Sequence, residues 1–161
     1  MSKKKAAHAK KATSAETSNQ AVSRLGLQNY SLPDRFGQWL GYEVVEVDRK
    51  GRRARTRLQI RGEHLSAAGR VHGGVVSAFL DFSCGGAVFS TMGPQDFCST
   101  VELKVNYLRP LMNGDLLTAE TEVVFRGKKL CVVRGLAWRG NDVENPVAMA
   151  TATFNVVTPK E

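Results

Sequence analysis

The segment from Val75 to Met92 constrains the fold of this chain more than any other. Nearly every position in it is apolar or small, and Asp81 is its only charged residue. A helix that is apolar on all sides is usually buried on all sides. An ionised carboxylate in such a place is costly unless it is paired or its pKa shifts. We therefore interpret Asp81 either as an acid neutralised by a partner or as an acid kept for chemistry.

Two glycines, Gly73 and Gly74, stand at the start of this helix. The first N–H groups of a helix have no intrahelical acceptor and lie at the positive end of its dipole. Because glycine carries no Cβ, a substrate carbonyl can approach these N–H groups closely, as an oxyanion site requires. Asp81 lies two turns further on, an axial offset of about 12 Å. This offset is too long for one carbonyl, so the spacing predicts a dimer whose central helices pack antiparallel.

Runs of alternating residues predict two strands before the helix and four after it. The first strand covers Tyr42–Val47, and the second buries one face, made of Ala54, Thr56, Leu58 and Ile60. In the next strand, Ser99–Leu108, alternation places Val101, Leu103, Val105 and Tyr107 on one face. The last three strands are Leu116–Arg126, Leu130–Arg139 and Val147–Val157, and a short helix is expected within Pro33–Leu40. The central helix is the only apolar element long enough to cover such a sheet, so we predict an α+β fold with a curved antiparallel sheet around one helix.

The basic residues concentrate at the start of the chain. Five lysines precede Glu16 and supply much of the net charge of +8. We expect residues 1–30 to be a disordered basic tail and residues 31–161 to be the folded domain, because the first 20 residues offer almost no large apolar side chain. No aromatic residue stands among these lysines, so we expect no nucleic-acid partner.

Cysteine usage and hydropathy predict a cytoplasmic protein without a membrane span. The three cysteines Cys84, Cys98 and Cys131 are far apart and set among apolar residues, as in reduced intracellular proteins. The apolar helix carries Asp81 and is interrupted by Gly85-Gly86, which argues against a span. The three histidines, His8, His64 and His72, form no spacing typical of metal ligands.

The run His72-Gly73-Gly74, the following Asp81 and the strand Thr100–Pro110 together resemble the hotdog-fold acyl-CoA thioesterases, especially the phenylacetyl-CoA thioesterases. The resemblance covers residues 36–157. It implies hydrolysis of acyl-CoA thioesters to free acid and coenzyme A, without a cofactor. It also implies a homodimer, which relatives often pair into a tetramer.

The resemblance assigns catalytic roles to Asp81, Gly73, His72, Thr100 and Ser66. Asp81 matches the acidic catalytic residue, either as general base on water or as nucleophile, and the sequence does not choose between the two. Gly73 matches the residue whose N–H polarises the thioester carbonyl. His72 belongs to the motif as a catalytic group or as a residue that orients the loop. Thr100 matches a hydroxyl near the acid, and Ser66 stands where relatives often have Asn.

The resemblance also marks substrate-binding candidates, namely Gly74, Ser99, Arg109, Arg126, Lys128 and Lys129. Gly74 adds a second N–H, Ser99 replaces Thr100 if the register differs, and the four cations are placed to hold coenzyme A phosphates. Two alternatives remain. A non-catalytic acyl-CoA-binding domain would not need Asp81, and a hotdog hydratase would need a histidine after Asp81 that the helix lacks.

Overall fold

The computed structural model describes residues 34–159. Two helices, a short 3-10 turn at Gly62–His64 and six strands follow one another in the order that the sequence predicts. The helices are α1 (Arg35–Leu40) and α2 (Gly73–Phe89), and the strands are β1 (Tyr42–Asp48), β2 (Arg53–Gln59), β3 (Phe97–Tyr107), β4 (Leu116–Arg126), β5 (Leu130–Arg139) and β6 (Pro146–Val157). The predicted basic tail lies outside the described residues.

The six strands form one antiparallel sheet in the order β1-β2-β4-β5-β6-β3. Helix α2 contacts every strand, so the sheet curves around it and the predicted architecture is confirmed. Strands β1 and β3 are the two edges. Because β3 follows α2 directly in the chain, the helix and this free edge lie side by side.

Local sequence explains both the strand faces and the start of the helix. In β2 the predicted inner face is confirmed, since Ala54, Thr56 and Leu58 are all buried. Helix α2 begins at Gly73 because the His72 side chain caps its first turn. It ends at Phe89, before the Gly93-Pro94 stop signal in the sequence, and Ser90 is its C-cap.

Burial around α2 is uneven, which corrects the expectation of a helix buried on all sides. Phe79, Leu80 and Ser83 are fully buried against the sheet. Ser77 and Asp81 are only partly buried. The same is true of Gly73, Ala78 and Phe82. The helix therefore has one side covered by its own sheet and one side left uncovered.

A β-bulge in β3 corrects the predicted strand face. Opposed residues of β3 and β6 are in register up to Thr100↔Phe154 and resume at Glu102↔Thr153, so Val101 is the extra residue. The Val101 side chain is 61% exposed instead of sharing the inner face. Because the bulge shifts the alternation by one residue, Thr100 and Tyr107 both face α2 although they are an odd number of positions apart.

One of the two paired glycines in α2, Gly86, permits close packing against the sheet. A Cβ on Gly86 would lie 3.2 Å from the Cβ of Ala54 on β2, whereas one on Gly85 would have no neighbour nearer than 4.0 Å. Cys84 and Cys131 are buried, Cys98 is partly buried, and none of the three forms a disulfide within the described residues. Neither described helix has the length and apolar character needed to cross a membrane.

Candidate active site

The first turn of α2 is held in place by the residue before it. His72 has extended backbone angles, and its Nδ1 accepts a hydrogen bond of 2.9 Å from the Gly74 N–H. The bond fixes Nδ1 as an acceptor and leaves Nε2 toward solvent. Among the described residues the Gly73 N–H has no acceptor, so Gly73 rather than Gly74 retains a free donor at the positive end of the helix.

Asp81 lies on the uncovered side of α2, two turns beyond Gly73. Thr100 Oγ1 donates a hydrogen bond of 2.8 Å to Asp81 Oδ1, which confirms that the strand hydroxyl lies beside the acid. Burial raises the pKa of Asp81, and the Thr100 hydrogen bond opposes that rise. Within residues 34–159 the second carboxylate oxygen has no hydrogen-bond donor, so it is available to a water molecule or to a carbonyl carbon.

Ser66 closes the loop that leads into the His72 turn. Its N–H and its hydroxyl both donate to the carbonyl of Arg70, at 2.7 and 3.0 Å. Gly69, within this loop, has a φ of 72°, which a residue with a Cβ rarely adopts. Because the single proton of the Ser66 hydroxyl is used inside the loop, only its acceptor lone pairs remain for a substrate or a water.

The remaining substrate-binding candidates do not gather around Asp81. Ser99 is opposite Asn155 and faces away from α2, since the next residue Thr100 faces it. The Arg109 and Arg126 guanidinium groups donate to the carbonyls of Pro146 and Gly127, respectively. Arg126 begins the β4–β5 turn, which also carries the exposed Lys128 and Lys129.

That turn lies at the C-terminal end of α2, because Cys131 on β5 contacts Thr91 just beyond the helix. Within one chain it is separated from Gly73 by about 25 Å, the length of the helix.

Two site residues escaped the sequence analysis, Tyr107 and Ser77. The Tyr107 hydroxyl donates to the Gly73 carbonyl at 3.2 Å and shares a short hydrogen bond with the Ser77 hydroxyl. The Tyr107 ring lies against Gly73, 3.4 Å from where a Cβ would be. Ser77 is four residues after Gly73 and four before Asp81, so the helical repeat could have placed all three on one face. The alternation of β3 placed Tyr107 on the inner face with Leu103 and Val105, but no sequence pattern indicated its contact with Gly73.

An apolar hollow of about 320 Å³ lies beside the His72 turn. Helix α1 forms one wall through Phe36 and Trp39, which are 53% and 49% exposed. The opposite wall includes Leu65, His72 and Val75. Phe36 stacks on Trp39 and also contacts Phe82, the residue after Asp81. The hollow thus connects an aromatic surface to the turn that carries the free Gly73 N–H.

In residues 34–159, no three His, Cys, Asp or Glu side chains come close enough together to hold an ion. His64 is fully buried and accepts from the backbone N–H of Arg61, so its ring serves packing beneath Trp39.

The curved sheet wrapped around the long helix α2, with an acid on the uncovered side of that helix, defines a hotdog fold. Comparison with known proteins supports this assignment. The profile of the Thioesterase superfamily matches residues 68–145, which include the His72 turn, Asp81 and Thr100. The chain is 30% identical over 104 residues to "Putative esterase SSO2140" of Saccharolobus solfataricus, covering 65% of this chain and 71% of that protein. The chain belongs to the thioesterase superfamily.

A second Saccharolobus solfataricus protein, "Putative esterase SSO1253", is 38% identical over 88 residues, a match that covers 55% of this chain and only 56% of the relative. Among solved structures, a phenylacetic acid degradation-related protein of Ralstonia eutropha superimposes with a TM-score of 0.72 at 27% identity, covering 84% of this chain and 98% of that one. A hypothetical thioesterase of Streptococcus pneumoniae, solved with coenzyme A, gives a TM-score of 0.63 at 25% identity, covering 74% and 91%.

Proposed function

We propose that this protein hydrolyses acyl-CoA thioesters to a free acid and coenzyme A, with Asp81 as the catalytic carboxylate and the Gly73 N–H as the oxyanion donor. The observation that carries the proposal is the half-buried Asp81 carboxylate, held at one oxygen by Thr100 and free at the other. A packed structural carboxylate would have partners at both oxygens. The thioesterase superfamily supplies the reaction class for such a group.

Asp81 supports two routes to the same products. As a general base it takes a proton from a water molecule whose oxygen attacks the thioester carbon, after which the C–S bond breaks and the thiolate leaves. As a nucleophile it attacks that carbon itself, releasing the thiolate and forming an anhydride that water then hydrolyses. In both routes negative charge develops on the carbonyl oxygen, where the Gly73 N–H stabilises it.

The distance between the two groups favours a two-fold dimer. Eight residues of helix separate Gly73 from Asp81 by about 12 Å, so one helix does not bring both to one carbonyl. An antiparallel second copy of α2, laid on the uncovered side, would place Gly73 of each subunit opposite Asp81 of the other. Strand β3 offers the matching free edge, since Val101 and Tyr107 are 61% and 55% exposed. Such dimers can pair again into tetramers.

The same arrangement assigns the two ends of the substrate. We place the acyl group in the apolar hollow, because His72 and Gly74 line it next to the free N–H. The β4–β5 turn of one subunit would reach toward the Gly73 end of the other, where Lys128 and Lys129 can meet coenzyme A phosphates. The Streptococcus pneumoniae neighbour solved with coenzyme A supports this ligand class. The absence of disulfides among the described cysteines and a coenzyme A substrate support a cytoplasmic location.

The test is release of free thiol from phenylacetyl-CoA, hexanoyl-CoA and benzoyl-CoA, followed with a chromogenic disulfide. We expect turnover of at least one substrate by the wild-type protein. Replacing Asp81→Asn should lower kcat by about a thousandfold, because the amide keeps the shape but is neither base nor nucleophile. The melting temperature should not fall, since the variant removes a partly desolvated charge.

Asp142→Asn is the matched control, because Asp142 lies in an exposed turn and bonds only within it among the described residues. It should retain full activity. Full activity of Asp81→Asn would remove Asp81 from the mechanism. Tight acyl-CoA binding without thiol release by the wild-type protein would instead identify the non-catalytic binding domain.

A further inference from the structure

The peptide unit between Gly73 and Gly74 is held from both of its sides. Its N–H, which belongs to Gly74, donates to His72 Nδ1 at 2.9 Å. Its carbonyl, which belongs to Gly73, accepts the Tyr107 hydroxyl at 3.2 Å in addition to the helical hydrogen bond. The preceding peptide unit, which carries the free Gly73 N–H, is held only at its carbonyl, where His72 accepts from the Val75 N–H at 3.0 Å. The direction of its N–H therefore also depends on how firmly the neighbouring unit is fixed.

A chain of hydroxyl groups strengthens this contact. A phenol has one proton, and Tyr107 donates it to the Gly73 carbonyl, so the Ser77 hydroxyl is the donor in the Ser77–Tyr107 hydrogen bond. Consecutive hydrogen bonds polarise one another. Because Ser77 is one helical turn beyond Gly73, the phenol is anchored by the same helix that it clamps.

The bulge at Val101 makes this contact available. Tyr107 pairs with the buried Ala148 on β6 and so faces α2, as Thr100 does on the other side of the bulge. Without the extra residue, Thr100 and Tyr107 would face opposite sides of the sheet. One irregularity in the edge strand therefore serves both ends of the site, the acid through Thr100 and the oxyanion turn through Tyr107.

We propose that Tyr107 is a positioning residue for thioester hydrolysis, whose hydroxyl, supported by Ser77, fixes the Gly73–Gly74 peptide so that the Gly73 N–H points at the reacting carbonyl. The role rests on the proposed hydrolase function. Tyr107 is 55% exposed and lies outside the hydrophobic core of its own chain, and removing only its hydroxyl keeps the ring that the proposed subunit interface would contact. Its effect falls on the transition state, where charge develops on the carbonyl oxygen.

The test removes only the hydroxyl, with Tyr107→Phe. We expect kcat for the best acyl-CoA of the panel to fall about tenfold, while KM stays within about twofold, the pattern of an interaction made mainly in the transition state. Thr151→Val is the control, because it removes an exposed hydroxyl from the outer face of β6, and its kinetics should be unchanged. Unchanged kcat in Tyr107→Phe, or a rise in KM that accounts for the whole loss, would overturn the role.

A second measurement does not need turnover. With ¹⁵N-glycine labelling, amide hydrogen exchange at Gly74 should become at least about tenfold faster in Tyr107→Phe and in Ser77→Ala, because both loosen the clamped peptide. Exchange as slow as in the wild-type protein would overturn the clamp. If the wild-type protein hydrolyses no acyl-CoA, the proposed function fails by that result, whereas the exchange rates still decide whether Tyr107 holds the turn.

Discussion

The two sides of helix α2 carry the same kind of hydroxyl contact in opposite settings. On the covered side Ser83 is fully buried, with Thr56 Oγ1 at 2.6 Å from its hydroxyl and Thr121 Oγ1 donating to its carbonyl at 2.8 Å. On the uncovered side Thr100 donates to Asp81, and one carboxylate oxygen stays free. A fully satisfied buried group contributes to stability, whereas a partly satisfied group at an open surface retains the capacity to bind.

This comparison indicates that the functional groups of an apolar helix lie on the side that its own sheet does not cover. On the covered side, strands β2 and β4 of the same chain supply hydrogen-bond partners to Ser83. The polar groups on the uncovered side receive their contacts from the single edge strand β3, which leaves the Gly73 N–H and one Asp81 oxygen open. The two sides should therefore respond differently to substitution, in stability on one side and in activity on the other.

The largest expected effect is the recovery of activity when two inactive variants form mixed dimers through the uncovered side of α2. Gly73→Pro removes the N–H, and proline is tolerated at the first helical position after an extended residue such as His72. Mixed dimers of Gly73→Pro and Asp81→Asn subunits have one site with both changes and one site with neither. Co-refolding the two inactive parents should restore about a quarter of wild-type activity, since half of the dimers are mixed and each has one intact site.

The control is each parent refolded alone, which should stay inactive. If native mass spectrometry shows mixed dimers and the mixture still lacks activity, each site is built within one chain, and the uncovered side of α2 is not a subunit interface.

The next effect concerns the covered side. Ser83→Ala leaves the buried Thr56 hydroxyl without its acceptor, which should lower the free energy of unfolding by about 1–3 kcal/mol. The kcat should stay at the wild-type value, because Ser83 contacts neither Asp81 nor the first turn. Urea unfolding measures the first quantity and thiol release the second. Thr151→Val is the exposed control, with an expected change within about 0.5 kcal/mol. A loss of kcat in Ser83→Ala with unchanged stability would break the comparison.

The smallest effect concerns the hydrogen bond on the uncovered side. Thr100 favours the ionised form of Asp81, so Thr100→Val should raise the pKa of Asp81 beyond the rise that burial already causes. The acid limb of the profile of kcat/KM against pH should move to higher pH, because both routes need the carboxylate ionised. Activity on the alkaline plateau should change by only a few-fold.

Ser99→Ala is the matched control for Thr100→Val, since the neighbouring hydroxyl faces away from α2. Its acid limb should coincide with that of the wild-type protein. A shift in Ser99→Ala and none in Thr100→Val would mean that the register of β3 differs in solution.

The sequence predicted those parts of the molecule that depend on local pattern. The limits of β4 and β5 agree with the predicted strands, because regular alternation and glycine-containing turns mark both ends. Asp81 stood out as the only charge in an apolar helix, and the glycine pair marked the helix start. The sequence left open whether His72 orients the loop or takes part in catalysis, and it did not identify Gly74 as the residue that His72 caps.

Prediction from the sequence fails where one extra residue changes which side chains of a strand point inward. Strict alternation put Val101 on the inner face, and a bulge of one residue in β3 placed Thr100 there instead. Tyr107 lies on the predicted inner face, but its contact with Gly73 depends on how β3 lies against α2. Nothing in the composition of Ser99–Leu108 marks the bulge, because it arises from how β3 fits β6 across the sheet.

By itself the sequence determined the order of elements, the apolar helix with its one acid, and the free N–H groups at the helix start, since each follows from residue type and spacing along the chain. Only the tertiary structure decided which side of α2 is covered and which hydroxyl meets Asp81. These features depend on contacts between strands and helix far apart in sequence. They are set by the curvature and register of the whole sheet, which no local pattern encodes.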